Sequence, residues 1–377
     1  MVAVLIDTAI EAEIEIDTLI IGGGAAGLTA ALAACEAGNS VLIAERETIL
    51  SGSTALSSGL IPAAGTAIQS EQSIQDTADI FYSDIVAKNK NKANPEYVRR
   101  IVTQIPKTID WLTASHNIPF IVLDNFLYPS HTNHRMHAVP EVTGLGLIGR
   151  LEGAARAQNI TIVTDLQITN LVVTAEGDAL GAHCLRPDGS TENIAARSII
   201  LACNGYGGNP DLVSLYIPEM RDAIYFGHPG NQGEAIIWGQ QLGAEIADLS
   251  GYQGHGSVAH PHGILVTWAL MMEGGIQVNQ LGRRFSNEHQ GYSEQAVSVL
   301  AQPDKIAFNI FDDRLCKLGR DFEDFRTAEE VQAIIRADTP EELATKLGIN
   351  PIDLCKTLAD CERIALDSEI DVFGRIF

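Results

Sequence analysis

The first regular pattern in the chain is a short run of β-branched and apolar residues that is followed by glycines. Residues 14–21 (IEIDTLII) crowd such side chains into the length of a strand, and GGGAAG follows at 22–27. The next segment, LTAALAACEAG at 28–38, is rich in Ala and Leu and predicts a helix that Gly38 ends. VLIAE at 41–45 predicts a second strand. Together these segments predict a βαβ unit.

The pattern continues with further helices and strands in the rest of the chain. TIVTD, TNLVV and ALGAHCLRP, which lie between 161 and 187, predict strands, and PDGS at 187–190 predicts a hairpin turn. ARSIILACNGYGGNP at 196–210 predicts a buried strand that runs into a glycine-rich turn. Helical patterns occupy 72–115, 150–158, 233–245, 291–300, 326–336, 340–347 and 351–366.

Length, composition and charge narrow the class of protein. A chain of 377 residues with 46% hydrophobic and 19% charged residues predicts a globular protein of two domains. Its net charge of −23 argues against binding to nucleic acid or to an anionic membrane surface, because like charges repel. The 6 cysteines form no C-x-x-C pair, and the first residues lack the features of a signal peptide. We therefore expect a reduced, cytoplasmic protein whose partner is a small molecule.

The glycines after the first strand carry the chemistry of a dinucleotide site. Gly22, Gly24 and Gly27 satisfy G-x-G-x-x-G, which combines a tight turn, a close approach of backbone to pyrophosphate, and close packing of helix on strand. The amino end of the helix then presents free N–H groups to the phosphates. Glu45 ends the second strand, where a carboxylate accepts hydrogen bonds from ribose hydroxyls. The motif alone does not separate FAD from NAD.

The segment SGSTALSSGLIPAAGT (51–66) resembles the flavin-contacting loop of the fumarate reductase and succinate dehydrogenase flavoprotein superfamily, which includes flavocytochrome c fumarate reductases and 3-ketosteroid dehydrogenases. HTNHRMHAVP, GHPGNQGEAIIWGQQLGAE, YQGHGSVAHPHG and GRRFSNE agree with it in order. The resemblance implies an α/β fold, in which a Rossmann-like FAD-binding domain carries an inserted α+β cap domain. We expect the first segment of the FAD domain at 14–253 and the cap at 254–377.

The resemblance also implies how FAD is held. Covalent members attach it to the histidine of a His-Thr pair, and Ser53 stands at that position before Thr54, so we expect noncovalent FAD. Besides Gly22, Gly24, Gly27 and Glu45, the expected FAD contacts are Ala25, Ala26, Arg46, Ser53, Thr54, Ser58, Gly59, Ala202 and Gly205.

The resemblance further points to catalytic positions, at which this chain departs from the fumarate reductases. The proton-relay positions fall on Trp268 and Met271, neither of which passes a proton, and the catalytic arginine falls on Tyr292. Ketosteroid dehydrogenases resemble this segment and use a tyrosine there as base. His255 matches a histidine that binds substrate carboxylate. Tyr292 as a structural aromatic and His255 as a loop residue without a role are the alternatives to these catalytic assignments.

The expected activity is hydride transfer between flavin N5 and a carbon of a C–C single or double bond in a hydrophobic or carbonyl-bearing substrate. In relatives a D-x-F-G-R stretch, here at 371–375, closes the cap before the chain returns to the FAD domain. We expect that returning segment to be absent, so a noncatalytic fragment or one chain of a split enzyme is the alternative function. We therefore expect a complementing chain or an oligomer, together with an electron donor or acceptor, as partners.

Two histidine groups, at 131–137 and 255–262, have spacings that can serve a metal, but no carboxylate or cysteine pattern completes a site, so no metal is expected. Arg135 lies within the first group, and we interpret it as a surface residue, with contact to an anionic substrate as the alternative.

Overall fold

Parallel strands organise the first part of the chain. The computed structural model describes residues 2–124, 127–128 and 130–377. The strands are β1 (Ala3–Ile6), β2 (Ile14–Ile21), β3 (Val41–Ala44), β4 (Ile61–Pro62), β5 (Ile121–Val122), β6 (Met136–Ala138), β7 (Thr161–Val163), β8 (Gln167–Val173), β9 (Ala179–Leu185), β10 (Thr191–Leu201), β11 (Val258–Ala259), β12 (Ile264–Leu265), β13 (Ile276–Val278) and β14 (Phe308–Ile310).

Helices alternate with these strands early in the chain and dominate its later part. They are α1 (Ala25–Glu36), α2 (Gly52–Ala55), α3 (Ala67–Glu71), α4 (Ala78–Lys88), α5 (Pro95–His116), α6 (Gly144–Ala157), α7 (Pro210–Tyr216), α8 (Glu234–Gln241), α9 (Ala269–Met272), α10 (Tyr292–Leu300), α11 (Asp313–Gly319), α12 (Glu323–Glu330), α13 (Pro340–Leu347) and α14 (Pro351–Leu366). Short 3₁₀ turns lie at Pro218–Met220, Glu288–Gln290 and Pro303–Lys305. No helix of the described residues has the length and apolar character needed to cross a membrane.

The main sheet has seven strands in the order β1-β8-β9-β10-β2-β3-β7. Strands β10, β2, β3 and β7 are mutually parallel, and β8, β9 and β10 form an antiparallel meander beside them. Ile21 lies opposite both Leu201 and Ala44 in the register, so β10, β2 and β3 end at the same edge of the sheet. Ligands of open parallel sheets bind outside this edge. The arrangement of strands and helices confirms the α/β fold class predicted from the sequence.

Burial explains why the first run of apolar residues forms a central strand. The last four residues of β2 are fully enclosed, because helices cover one face of the parallel strands and the meander covers the other. Each large aliphatic side chain enclosed in this way stabilises the fold by ~1.5–3 kcal/mol. The buried residues that join β2 and β3 to the helices on the first face include Ile20, Leu28, Leu32, Ile43, Leu147 and Leu151.

Two sequence predictions need correction. The strand at the start of 196–210 exists, but Ile200 and Leu201 each remain 37% exposed, so the prediction that it is buried is wrong at its carboxyl end. The core that contains β2, α1 and α6 does not include these two side chains. The helix predicted at 326–336 ends at Glu330, because Gln332 adopts a left-handed conformation with φ of 60° that no α-helix continues.

The chain divides into two compact units. The first comprises residues up to Tyr216 together with Ile224–Leu249, and the second comprises Ile217–Ala223 and Ser250–Phe377. The second unit contains two small antiparallel pairs, β11 with β12 and β13 with β14, together with the helices α9–α14.

A buried ionic network holds the second unit together. Glu288, fully buried, accepts hydrogen bonds from Arg284 Nη2 at 2.6 Å and from Arg375 Nη1 at 2.8 Å. Arg284 Nη1 donates to Asp371 at 2.5 Å, and Arg375 also donates to the Met271 carbonyl at 3.0 Å. The GRRFSNE motif and the DVFGR stretch are therefore joined through paired charges, which supply partners that isolated buried charges would lack.

Candidate cofactor site and candidate active site

The glycine turn lies at the edge where β2 ends, and its geometry excludes side chains. A Cβ added to Gly22, whose φ is 111°, would lie 2.4 Å from the Ala202 carbonyl oxygen. A Cβ added to Gly27 would lie 1.9 Å from the Gly22 carbonyl oxygen. Both distances are far below van der Waals contact, so only glycine keeps this turn tight and its backbone open to a ligand.

Glu45 and Thr54 hold the turn from two neighbouring segments. The buried Glu45 carboxylate accepts hydrogen bonds from Gly23 N at 2.8 Å and from Glu47 N at 3.0 Å. Thr54 Oγ1 accepts a hydrogen bond from Ala25 N, in the first turn of α1, at 3.2 Å. The acid expected for ribose thus lies against the glycine turn, and the 51–66 loop lies against the amino end of the helix.

One cleft contains many of the residues expected to contact the cofactor. Gly22, Gly24, Glu45, Arg46, Ser53 and Thr54 all line it. The other lining residues are Ile21, Ala44, Gly52, Leu166, Ile168, Cys203, Asn204, His228, Gly230, Asn231 and Trp238.

The remaining predicted residues lie around this cleft or away from it. Ala25 and Gly27 belong to the first turn of α1, in which Ala26 is exposed. Ser58 is exposed. Gly59 packs closely against the backbone of Thr143, since a Cβ added to Gly59 would lie 2.8 Å from the Thr143 carbonyl oxygen. Ala202 and Gly205 flank the lining residues Cys203 and Asn204.

The segment 228–238 contributes to the cleft although sequence reasoning assigned it no site residue. Ser53 Oγ accepts hydrogen bonds from Asn231 Nδ2 at 2.8 Å and from His228 N at 3.3 Å. Trp238, on α8, also lines the cleft. The signal available in the sequence was the resemblance of 227–245 to the flavoproteins, which identified the segment without saying which side chains face a ligand.

The residues at this edge fit a dinucleotide such as FAD. Because Gly22 and Gly27 carry no Cβ atoms, the turn leaves its backbone available for pyrophosphate. The amino end of α1 adds a helix dipole that favours the negative charge of the phosphates. The Glu45 carboxylate supplies the acceptor that ribose hydroxyls need. Ser53 provides only a hydroxyl where covalent relatives provide a histidine, so noncovalent binding stays a prediction.

A second group of side chains lies in the second unit and contains both predicted catalytic residues. Tyr292, the first residue of α10, stacks on His255 with ring centroids 5.2 Å apart and an angle of 22° between the planes. Trp268 approaches His255 edge-on at 6.0 Å. The Tyr292 hydroxyl accepts a hydrogen bond from Gln253 Nε2 at 3.0 Å. The structure therefore brings the predicted phenol and imidazole together.

The surroundings of His255 determine its charge. Its Nδ1 accepts a hydrogen bond from Ser257 N at 3.2 Å, so the neutral ring carries its proton on Nε2. Burial lowers the pKa of His255 to about 4, because the charged form loses hydration. His255 is thus a neutral imidazole near pH 7 whose Nε2–H is a donor.

The replaced relay positions are structural in this chain. Trp268 is 5% exposed, and its Nε1 donates to the Glu288 carbonyl at 3.2 Å. Met271 is 1% exposed and packs in the same apolar cluster. Neither side chain is a titrating group, so neither can pass a proton, and the Met271 carbonyl accepts a hydrogen bond from Arg375 of the buried network.

The interpretation of Arg135 as a surface residue is wrong, and its alternative, contact with an anionic substrate, finds no support. Arg135 is fully buried, donates to Asp76 through Nε at 2.9 Å and Nη2 at 3.2 Å, and pairs with Asp84 at 2.8 Å. Nearby, the His137 ring nitrogens contact Thr66 Oγ1 at 2.8 Å and the Arg135 carbonyl at 3.0 Å. Within the described ranges no group of three potential ligands could hold a metal ion.

Known proteins resemble this chain over most of its length. A probable fumarate reductase of Shewanella frigidimarina (strain NCIMB 400) is 27% identical over 358 residues, which cover 95% of this chain and 60% of that protein. The open conformation of a flavocytochrome c3 fumarate reductase superposes with a TM-score of 0.81 at 26% identity, covering 97% of this chain and 64% of that one. A 3-ketosteroid-Δ4-(5α)-dehydrogenase from Rhodococcus jostii RHA1 shares the fold, with a TM-score of 0.77 at 20% identity, covering 100% of this chain and 82% of that one.

The predicted resemblance to FAD-dependent flavoproteins is confirmed by these likenesses and by the match to a protein family. The chain spans less than two thirds of the length of these two fumarate reductases. The family described as FAD binding domain matches residues 17–334, which include the glycine turn, Glu45 and the 51–66 loop. The chain therefore belongs to the FAD binding domain family, and FAD is its cofactor.

Proposed function

We propose that this protein is an FAD-dependent oxidoreductase that acts on a C–C single or double bond next to a carbonyl group in a hydrophobic substrate. The observation that carries the proposal is the stacked pair of Tyr292 and His255, in which Tyr292 packs against an apolar cluster and His255 approaches Trp268 of that cluster. FAD, when bound, supplies the centre that accepts or donates the hydride. The protein must then supply a group that moves a proton and a donor for the carbonyl oxygen.

Tyr292 is the group that we assign to the proton. In the dehydrogenation direction its phenol oxygen takes the proton from the carbon next to the carbonyl, while the hydride leaves the neighbouring carbon and a C=C bond forms between them. Gln253 Nε2 donates to that oxygen at 3.0 Å, which orients the phenol. Gln253 acts as a positioning residue.

His255 is the group that we assign to the carbonyl oxygen. A neutral imidazole that donates through Nε2–H stabilises negative charge as it develops on a carbonyl oxygen. A substrate carboxylate, by contrast, is bound best by cationic donors. The burial that keeps His255 neutral therefore favours an uncharged carbonyl compound over a dicarboxylate.

The apolar neighbours of the pair support the same class of substrate. Trp268 and Met271 are buried, and the Trp268 N–H is already bonded to a backbone carbonyl. Tyr292 stands where the fumarate reductases carry an arginine, which removes a positive charge that would hold a carboxylate. We therefore propose that fumarate is a poor substrate, although relatives are fumarate reductases.

The test compares wild type with Tyr292→Phe in a dye-linked assay with 4-androstene-3,17-dione and, separately, with fumarate and succinate. We expect turnover with the ketone to fall by about 10²–10⁴-fold in the variant, the usual contribution of a proton-transfer group. FAD content, read from the visible spectrum, should not change. Tyr252→Phe removes a hydroxyl from another half-buried tyrosine of the same unit and is the matched control.

Each outcome separates the candidate functions. Equal turnover in Tyr292→Phe and wild type contradicts the proton assignment, and faster turnover of fumarate than of the ketone contradicts the proposed substrate class. Bound FAD without turnover of any C–C substrate favours the alternative of a noncatalytic flavoprotein or one chain of a split enzyme. The electron partner is unassigned, and the cytoplasmic location stays a prediction.

A further inference from the structure

Helix α8 carries two buried polar side chains that each leave one atom without a partner among the described residues. Glu234 is 4% exposed and Trp238 is 1% exposed. Glu234 Oε2 and Trp238 Nε1 have no hydrogen-bond partner in the described part of the chain. A buried acceptor or donor without a partner is destabilising, so such atoms are usually bonded to something.

The two side chains lie on the same face of the helix. Residues four positions apart are neighbours on an α-helix, so Glu234 and Trp238 project side by side. The Trp238 side chain lines the cleft that Gly22, Gly24 and Glu45 also line. Glu234 Oε1 is 2.6 Å from Nη2 of Arg46, another lining residue. Trp238 therefore lies at the cofactor cleft, and Glu234, which is not itself a lining residue, is joined to the cleft through Arg46.

The chemistry of this pair indicates which part of FAD it meets. The second carboxylate oxygen of Glu234 would repel phosphate, so the pyrophosphate is a poor occupant of this face. Adenine suits it, because its ring nitrogens accept hydrogen bonds while its amino group donates them. Adenine is also attached to the ribose that Glu45 is expected to bind, and Glu45 lines the cleft together with Trp238.

We propose that α8 recognises the adenine base of FAD, with Trp238 Nε1–H donating to a ring nitrogen and Glu234 Oε2 accepting from the amino group. Arg46 then has a positioning role, because its ion pair holds the Glu234 carboxylate in place. The proposal concerns recognition of the cofactor and is independent of the substrate and of Tyr292.

The experiment measures dissociation constants of flavin-free protein for FAD, ADP, IDP and FMN by calorimetry. IDP carries hypoxanthine, which lacks the amino group, and FMN lacks the adenosine half. We expect wild type to bind ADP about tenfold more tightly than IDP, the effect of one buried hydrogen bond. Trp238→Phe keeps the aromatic bulk and should weaken both FAD and ADP by about tenfold, without weakening FMN.

Trp111→Phe is the matched control, because the Trp111 N–H already donates to Glu36 at 3.0 Å on a different helix. It should leave all four constants unchanged. Equal affinities of wild type for ADP and IDP, or unchanged affinity of Trp238→Phe for FAD, would overturn the proposal, and so would the absence of ADP binding to wild type. Should Trp238→Phe fail to fold, as seen by circular dichroism, the ratio of ADP to IDP affinity in Glu234→Gln decides, since we expect that ratio to fall towards one.

Discussion

At the scale of single residues, His255 shows how burial determines what a side chain can do. Its Nδ1 is occupied by the Ser257 amide, and burial lowers its pKa to about 4 from an ordinary value of 6.5. The ring therefore remains a neutral donor throughout the pH range in which most histidines become cations.

This state of His255 predicts a pH dependence of stability. Between pH 6.5 and 4 the unfolded chain binds a proton at this residue that the folded chain does not, so the free energy of unfolding falls as the pH falls through that window. We expect the NMR ring signals of His255, assigned by their loss in His255→Gln, to titrate with a midpoint near 4.

The matched measurement is urea unfolding at several pH values between 6.5 and 4. Because glutamine does not titrate, His255→Gln should lose less stability over this window than wild type. A titration midpoint at or above the ordinary histidine value would contradict both the burial of the ring and its assignment as a neutral donor.

At the scale of secondary structure elements, the network around Glu288 joins residues that lie far apart in the chain. Glu288→Gln removes the charge that Arg284 and Arg375 share, and the side chains of both arginines are at most 6% exposed. A broken buried ion pair leaves an uncompensated charge, so we expect the variant to lose ~3–5 kcal/mol of stability in urea unfolding.

Glu369→Gln is the control for this variant, because it breaks an exposed ion pair with Arg363. Exposed pairs contribute little, so this control should change the stability by less than ~1 kcal/mol. If both variants lost the same small amount, the buried network would not hold the second unit together.

The same network shows which elements could be predicted from the sequence. The strand, turn and helix at 14–38 were predicted because local periodicity and glycine placement determine them. The partners of Arg284, Glu288 and Arg135 could not be predicted, since Asp371, Arg375 and Asp76 lie tens of residues away from them and no local pattern identifies these pairs. For the same reason the sequence does not reveal that Arg135 is buried.

The same difference between local motifs and long-range contacts applies to the two candidate sites. The glycine turn and Glu45 form a local motif, and the structure places them in one cleft with Ser53 and Thr54. Trp238, by contrast, lines that cleft because of the way α8 packs in the tertiary structure, and no local sequence pattern specifies this packing. Tyr292 and His255 were suggested by resemblance, and their stacking could be seen only in three dimensions.

At the scale of the whole molecule, net charge is the dominant global property. The chain carries 48 acidic against 25 basic residues, so its folded form repels itself. Raising the salt concentration from ~10 mM to ~150 mM shortens the screening length from ~30 Å to ~8 Å. We therefore expect the midpoint of thermal unfolding to rise over this range, measured by circular dichroism at constant pH. A falling midpoint would mean that attractive ion pairs outweigh the repulsion.

The long sequence separation within the Glu288 network has a consequence for synthesis on the ribosome. Glu288 and Arg284 emerge well before Asp371 and Arg375, their buried partners, which are 87 residues further along the chain. Until those residues have left the exit tunnel, the Arg284–Glu288 pair lacks the Asp371 and Arg375 side chains that complete its buried network. That unit therefore completes its folding only after translation has passed Arg375, whereas the glycine turn and its first two strands are available from the beginning.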